Sequence, residues 1–201
     1  MSVSRQPGQG RYSRAERERR WLVASVPAGS GQPRRIEDRY LEGTSLRLRR
    51  VEDAEAVVFK LGQKIRADPD DPFLVRVTNL YLTAEEYRRL SVLPAAVLVK
   101  TRRLVRHGAA SFAVDEFEGR LRGLVLAETD LAETEPAETD LAETEPAEGV
   151  RAEAEQAEAE RAGREAAPDA LPRWLGREVT HDDRYSGATL ARAGSPPAAQ
   201  R

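Results

Sequence analysis

Glu16-Arg17-Glu18-Arg19-Arg20-Trp21-Leu22-Val23 is the stretch on which the fold turns. In an extended strand, residues i, i+2 and i+4 share a face. Glu16, Glu18 and Arg20 then lie on one side, with Arg17, Arg19 and Trp21 on the other. Two carboxylates and a cation on one wall can hold a metal ion and the anion that accompanies it. The same stretch also suits a solvated helix, because Glu16 and Arg20 are spaced i, i+4. The rest of the chain decides between the two.

Downstream, short runs of alternating or β-branched residues are separated by turn residues. Strands are expected near Glu16–Ser25, Arg35–Leu41, Ser45–Val51, Ala56–Leu61, Phe73–Leu82, Ala96–Val105, Ser111–Phe117 and Leu121–Leu131. Thr83-Ala84-Glu85-Glu86 is a capping box, so a short helix starts there and ends before Pro94. No strand–helix alternation appears, and the sheet is expected to be antiparallel. The fold class is mainly β (α+β), with few helices.

The 201 residues are 40% hydrophobic and 33% charged, which suits one rather polar domain. With no cysteine, disulfides, thiolate zinc sites and a cysteine nucleophile are excluded. His107 and His181 lie far apart, so a metal would be a hard cation held by oxygens. There is no apolar leader-like segment or membrane-length apolar run, and the expected location is the cytoplasm, without a membrane partner.

The net charge of −2 hides an asymmetry. Leu131 to Ala167 holds 12 acidic residues and three arginines, a net of −9. The remainder has 29 basic and 22 acidic residues, a net of +7, and a basic body attracts polyanions. Within the acidic stretch, Ala127–Pro136 recurs unchanged as Ala137–Pro146. This low-complexity pattern reads as an insert over 132–167 between the main part of the domain, 14–131, and its closing segment, 168–192. Residues 1–13 and 193–201 read as disordered tails.

If Glu16, Glu18 and Arg20 face inward, similar charged pairs recur strand by strand. Arg47 and Arg49 share a face of the third strand, Lys60 lies on the fourth, and Lys100 and Arg102 share a face of the sixth. Asp115 is on the seventh, and Glu128 and Asp130 share a face of the eighth. Each strand alone is better explained as a solvated face. Together, however, the signs segregate: strands one, seven and eight supply acids, and three, four and six supply bases. Arginine forks and lysine ammonium groups bind phosphate oxygens, while carboxylates can hold a cation that bridges them.

The opening stretch resembles the glutamate-x-glutamate-x-lysine signature of the CYTH superfamily, the triphosphate tunnel metalloenzymes, with Arg20 in place of the lysine. Tyr40-Leu41, Leu46-Arg47-Leu48-Arg49, Phe59-Lys60, Lys100-Thr101-Arg102, Val114-Asp115-Glu116-Phe117-Glu118-Gly119, Ala127-Glu128-Thr129-Asp130 and Trp174-Leu175-Gly176-Arg177-Glu178-Val179-Thr180 match in the same order. The resemblance implies an eight-stranded antiparallel β-barrel forming a tunnel, with a few outer helices. It implies hydrolysis of a triphosphate with Mg²⁺ or Mn²⁺. Carried over, Glu16, Glu18, Asp115, Glu128 and Asp130 form the metal side. Arg20, Arg47, Arg49, Lys60, Lys100, Arg102 and Arg184 form the phosphate side. Tyr40 and Lys100 are the catalytic pair. Trp174 is read as a packing residue.

Two departures stand out. Asp130 replaces a glutamate, and the fifth strand, Val77-Thr78-Asn79-Leu80-Tyr81, lacks the family's pair of acids. Hydrolysis of tripolyphosphate or a nucleoside triphosphate is the leading expectation. Thiamine triphosphatase and class IV adenylate cyclase are alternatives, and a non-catalytic polyphosphate or nucleotide sensor is the alternative of another class. No nucleic-acid partner is expected, and the sequence leaves the oligomeric state open.

Overall fold

The computed structural model describes residues 13–66, 74–108, 110–130 and 171–197. The expected insert, residues 1–12 and 198–201 of the expected tails, and the loop before the fifth strand lie outside the described residues. Among the described residues, no helix is long and apolar enough to cross a membrane.

The elements in chain order are β1 (Arg14–Val23), β2 (Arg34–Leu41), β3 (Leu46–Glu52), β4 (Val57–Arg66), β5 (Leu74–Leu82), α1 (Ala84–Leu90), β6 (Ala95–His107), β7 (Ala110–Phe117), β8 (Val125–Asp130), β9 (Leu175–Glu178) and α2 (Gly187–Ala193). The strands follow the order β5-β4-β3-β2-β6-β7-β8-β1-β9, all pairings being antiparallel. Arg14–Arg17 of β1 pairs back onto β5, which closes eight strands into a barrel. β9 is an extra strand on the later half of β1, pairing Trp21 with Glu178 and Val23 with Leu175. Closure removes the free edges that an open sheet would expose.

Period two then sorts the side chains. The register Glu18↔Asp130, Arg20↔Glu128 and Leu22↔Leu126 puts those six positions on one face. The opposite face carries Trp21, Val105, Phe112, Val114 and Ala127, a buried cluster outside the barrel that Trp174 and Leu175 cover. Phe112 sits between two indoles, with ring centroids 6.0 Å from Trp21 and 5.4 Å from Trp174. Trp174 is thus the packing residue expected of it. The capping box is also present: the Thr83 hydroxyl accepts the Glu86 N–H at 3.2 Å, and Glu86 accepts the Thr83 N–H at 2.7 Å. α1 packs its Tyr87 ring against Phe59 on the outer face of β4, at 4.5 Å.

Inside, one end of the barrel is filled by apolar residues. Leu98, Phe117 and Leu126 meet Val179, Tyr185 and Leu190 of the closing segment, with Leu22 and Tyr40 alongside. Gly187 is required at this seat, because a Cβ there would overlap the Tyr40 hydroxyl. α2 is short but capped at both ends, by the Ser186 hydroxyl and by Gly194 in the left-handed conformation.

Some boundaries and elements differ from the sequence reading. β4 continues past Leu61 to Arg66, because it stays paired with β5 through Arg66↔Val75, which brings Lys64 to a carboxylate inside the barrel. The last barrel strand starts at Val125, since Gly119–Leu121 forms a tight 3₁₀ turn. β9 and α2 were not expected; at four and seven residues, neither is long enough to show a clear period.

If α2 is a structural plug, Leu190 behaves as a core leucine although it lies beyond the insert. Leu190→Ala should cost about 2–5 kcal/mol in denaturant unfolding. A cost within about 0.5 kcal/mol, typical of a surface site, would mean the helix is not seated.

Candidate functional site

The remaining interior is lined by charge. The barrel order places β4, β3, β2 and β6 side by side, and β7, β8 and β1 side by side. The sign segregation seen along the chain therefore becomes two facing walls. Lys60, Arg47, Arg49, Lys100 and Arg102 stand on the first, and Asp115, Glu128 and Glu18 on the second. Arg20 stands among the acids, and Asp38 among the bases.

The buried charges form two connected groups. In one, Lys64 donates to Glu18 at 2.5 Å, and Glu18 lies 3.7 Å from Arg20. Arg20 donates to Glu128 at 2.7 Å, and Arg102 reaches Glu128 at 3.1 Å. Arg102 also grips Asp115 with two bonds of 2.7 Å, and Lys100 donates to Asp115 at 2.5 Å. In the other group, Arg49 holds both oxygens of Asp38, at 2.6 and 2.8 Å, and Arg47 lies 3.5 Å from the same carboxylate. Such two-pronged pairs are the strong form of charge-assisted bond. The buried Nε of Arg47 has no hydrogen-bond partner.

These contacts set the protonation states. Burial works to raise the Glu128 carboxyl, but Arg20, Lys100 and Arg102 outweigh it and hold it well below the usual carboxylate range. Burial likewise opposes ionisation of Asp115, Glu18 and Asp38. Arg102 and Lys100 overcome it at Asp115, Lys64 and Arg20 at Glu18, and Arg49 and Arg47 at Asp38, so all three are lowered. Lys100 is lowered, chiefly by burial, with Arg102 and Arg49 adding to it against the pull of Asp115. Burial and the nearby Asp38 charge push Tyr40 up to about 12, so it stays a phenol.

No family model and no curated protein matches the chain. Solved structures do. Two crystal structures of the protein NE1496 are similar, one at 24% identity over 90% of this chain and 99% of that one, with a TM-score of 0.50. The other, described as an inorganic triphosphatase, is 23% identical over 88% of this chain and 93% of that one, at 0.49. The PH1819 protein from Pyrococcus horikoshii OT3 is 16% identical over 79% of this chain and 93% of that one, at 0.45. The chain shares the closed antiparallel-barrel fold of NE1496.

Within the tunnel, the β-sheet register puts Glu16, Glu18, Arg20, Arg47, Arg49, Lys60, Lys100, Arg102, Asp115 and Glu128 on the inner face, as the alternation of the sequence implied. Lys60 stands near the open side, 4.8 Å over the exposed Tyr81 ring. Asp130 is in register opposite Glu18, and its side chain lies outside what is described. Asp115, expected on the metal side, is 1% exposed and clamped by the cations of β6. Tyr40 and Lys100 face different neighbours: Tyr40 lies beside Arg47, whose charge works to lower it, and Lys100 donates to Asp115.

Arg184 is not brought to the tunnel lining. It is exposed and paired with Asp182 at 2.6 Å, in a separate cleft of about 760 Å³. Arg17 and Arg19 of the outer face of β1 line the same cleft. Its cations are engaged locally, Arg19 with Glu178 at 2.6 Å and Arg184 with Asp182.

Two tunnel residues were missed in the sequence. Lys64 lay past the expected end of β4. Asp38 shares a face with Tyr40 on β2 by simple alternation, and the register sets it opposite Arg49.

A hard divalent cation suits the tunnel in donor chemistry. Glu18 and Glu128 are near enough that the charge of Glu128 works to raise Glu18. Among the described residues, no three carboxylates gather around one point.

The carboxylates fix an acid limit. Asp38, Asp115, Glu18 and Glu128 all have folded values below their ordinary ones near 4, so the unfolded chain takes up protons first. Their contribution is complete above that range and is lost as pH falls through it. Unfolding free energy should be level from pH 7 to about 5 and fall steeply below about 4, with Asp115→Asn reducing the slope. A gain in stability on acidification would show the carboxylates repelling each other rather than held by cations.

Proposed function

We propose that the chain is a metal-dependent triphosphate phosphohydrolase acting on inorganic tripolyphosphate or a nucleoside triphosphate. One observation carries the reading: the cations of β3, β4 and β6 converge on the interior of a closed barrel, where the buried Nε of Arg47 lacks a partner. A chain of phosphates supplies acceptor oxygens in numbers that match such a wall.

Arg47, Arg49, Lys60, Lys100 and Arg102 bind and orient the phosphates, and Arg20 contacts them from the opposite wall. Phosphoryl transfer needs chiefly positioning and charge stabilisation. Lys100, its pKa lowered by burial and its ammonium group bonded to Asp115, would give a proton to the leaving phosphate oxygen. Tyr40, a phenol beside Arg47, would help to orient that guanidinium. Glu18 and Glu128, with Glu16 and Asp130, would hold Mg²⁺ or Mn²⁺. Such an ion would neutralise and polarise phosphoryl oxygens.

The inner face of β5, with Val75, Val77, Asn79 and Tyr81 in register, supplies no acid, and this favours a non-catalytic polyphosphate sensor as a second reading. Incubation with tripolyphosphate, ATP and thiamine triphosphate, with Mg²⁺ or Mn²⁺, separates them by product. Orthophosphate marks a hydrolase, cyclic AMP a cyclase, and binding without turnover a sensor.

Under the leading reading, Glu18→Gln should abolish metal-stimulated hydrolysis and leave metal-free tripolyphosphate binding in place. Arg102→Gln should weaken that binding by roughly tenfold to a hundredfold, the equivalent of about 1.5–3 kcal/mol. Calorimetric titration with and without Mg²⁺ checks both; unchanged affinity in Arg102→Gln would contradict the reading.

A further inference from the structure

Asp38 belongs to neither the expected metal side nor the phosphate side. It is fully buried, and Arg49 takes both of its oxygens. The pairing uses the Nε and Nη2 edge of Arg49, the edge that would grip a phosphate two-pronged. Arg47 approaches the same carboxylate to 3.5 Å without forming a hydrogen bond from its Nε. The two arginine side chains keep 20% and 16% of their surface while Asp38 keeps 1%. The guanidinium groups therefore stand between the carboxylate and the lumen, and they are shared between an internal anion and any anion that enters.

Resting on the triphosphate reading, we propose that Asp38 is a built-in rival of the phosphate, a specificity-determining carboxylate that holds Arg47 and Arg49 in the ligand's absence and weakens binding of highly charged phosphates. Two effects oppose each other here. Holding an arginine in place favours binding by about two- to tenfold, the worth of one immobilised side chain. A fixed negative charge a few ångströms behind the arginines disfavours each approaching phosphate charge. In a poorly screened interior this amounts to roughly tenfold to a hundredfold. Charge outweighs preorganisation, and its penalty grows with the charge of the ligand. Asp38 thus tilts the tunnel against long polyphosphates and eases release of charged products.

The test is calorimetric titration of orthophosphate, pyrophosphate and tripolyphosphate, without metal and at fixed ionic strength, into the full chain and into Asp38→Asn and Asp38→Glu. Asp38→Asn keeps the shape and removes the charge. It should bind tripolyphosphate at least about tenfold tighter than wild type, with a gain that shrinks towards orthophosphate. Asp38→Glu, which keeps the charge, should stay close to wild type. Equal or weaker tripolyphosphate binding by Asp38→Asn overturns the proposal. If this variant folds only with tripolyphosphate present, the anion has replaced the missing charge, in support. Failure to fold even at saturating tripolyphosphate overturns it. Wild type that binds no tripolyphosphate removes the functional reading by itself. Asp38→Asn binding where wild type does not would then still identify Asp38 as the obstacle, and no binding by either removes both.

Discussion

A barrel that turns charges inward is stable only if each buried charge meets its opposite. Removing an ion from water costs several kcal/mol even after relaxation. Here the cost is offset pair by pair, through Asp38 with Arg49, Asp115 with Arg102 and Lys100, Glu128 with Arg20, and Glu18 with Lys64. These pairs are a weak source of net stability, because desolvation consumes most of the attraction. The apolar contribution comes from elsewhere, from Trp21, Phe112 and Trp174 outside the barrel and from the Leu190 plug inside it. Stability and chemistry are thereby separated. The outer face and the closed end hold the barrel, which leaves the interior available for polar function.

This division explains what was legible in the sequence. Alternation along β1, β3, β6 and β8 gave the inner face correctly, because period two leaves a residue only two choices and the sign segregation breaks the tie. Position along the tunnel was not legible, since it depends on strand stagger and on which strands are neighbours. Asp115 illustrates the gap. Parity placed it inside, but the β6–β7 register sets it directly opposite Arg102, so it serves the cations. Asp38 was overlooked for the converse reason: an acid on a strand otherwise read for its tyrosine draws no attention until Arg49 is known to lie beside it. Arg184 came from the resemblance alone, and the two-residue spacing to Asp182 turns it into a local surface pair.

The same pairs that make the interior stable define what it can bind. Every carboxylate of the network already holds a cation, so an entering anion must share or displace protein contacts rather than fill a bare basic surface. That makes affinity a difference between two sets of ion pairs, and it makes the balance of acids inside the barrel as consequential as the number of bases. β5, which brings Val75, Val77 and Asn79 to the inner face, contributes nothing to this balance. Asp38, on the far side of β3 and β4, contributes most of it on the basic wall.

The central claim is that the barrel interior, and not the outer arginine cleft, is the polyphosphate site. A crystal structure of the protein with tripolyphosphate tests it most directly. The account predicts phosphates inside the barrel, within hydrogen-bonding distance of Arg47, Arg49, Lys100 and Arg102. Phosphates found instead beside Arg17, Arg19 and Arg184, with the interior ion pairs unchanged, would contradict it.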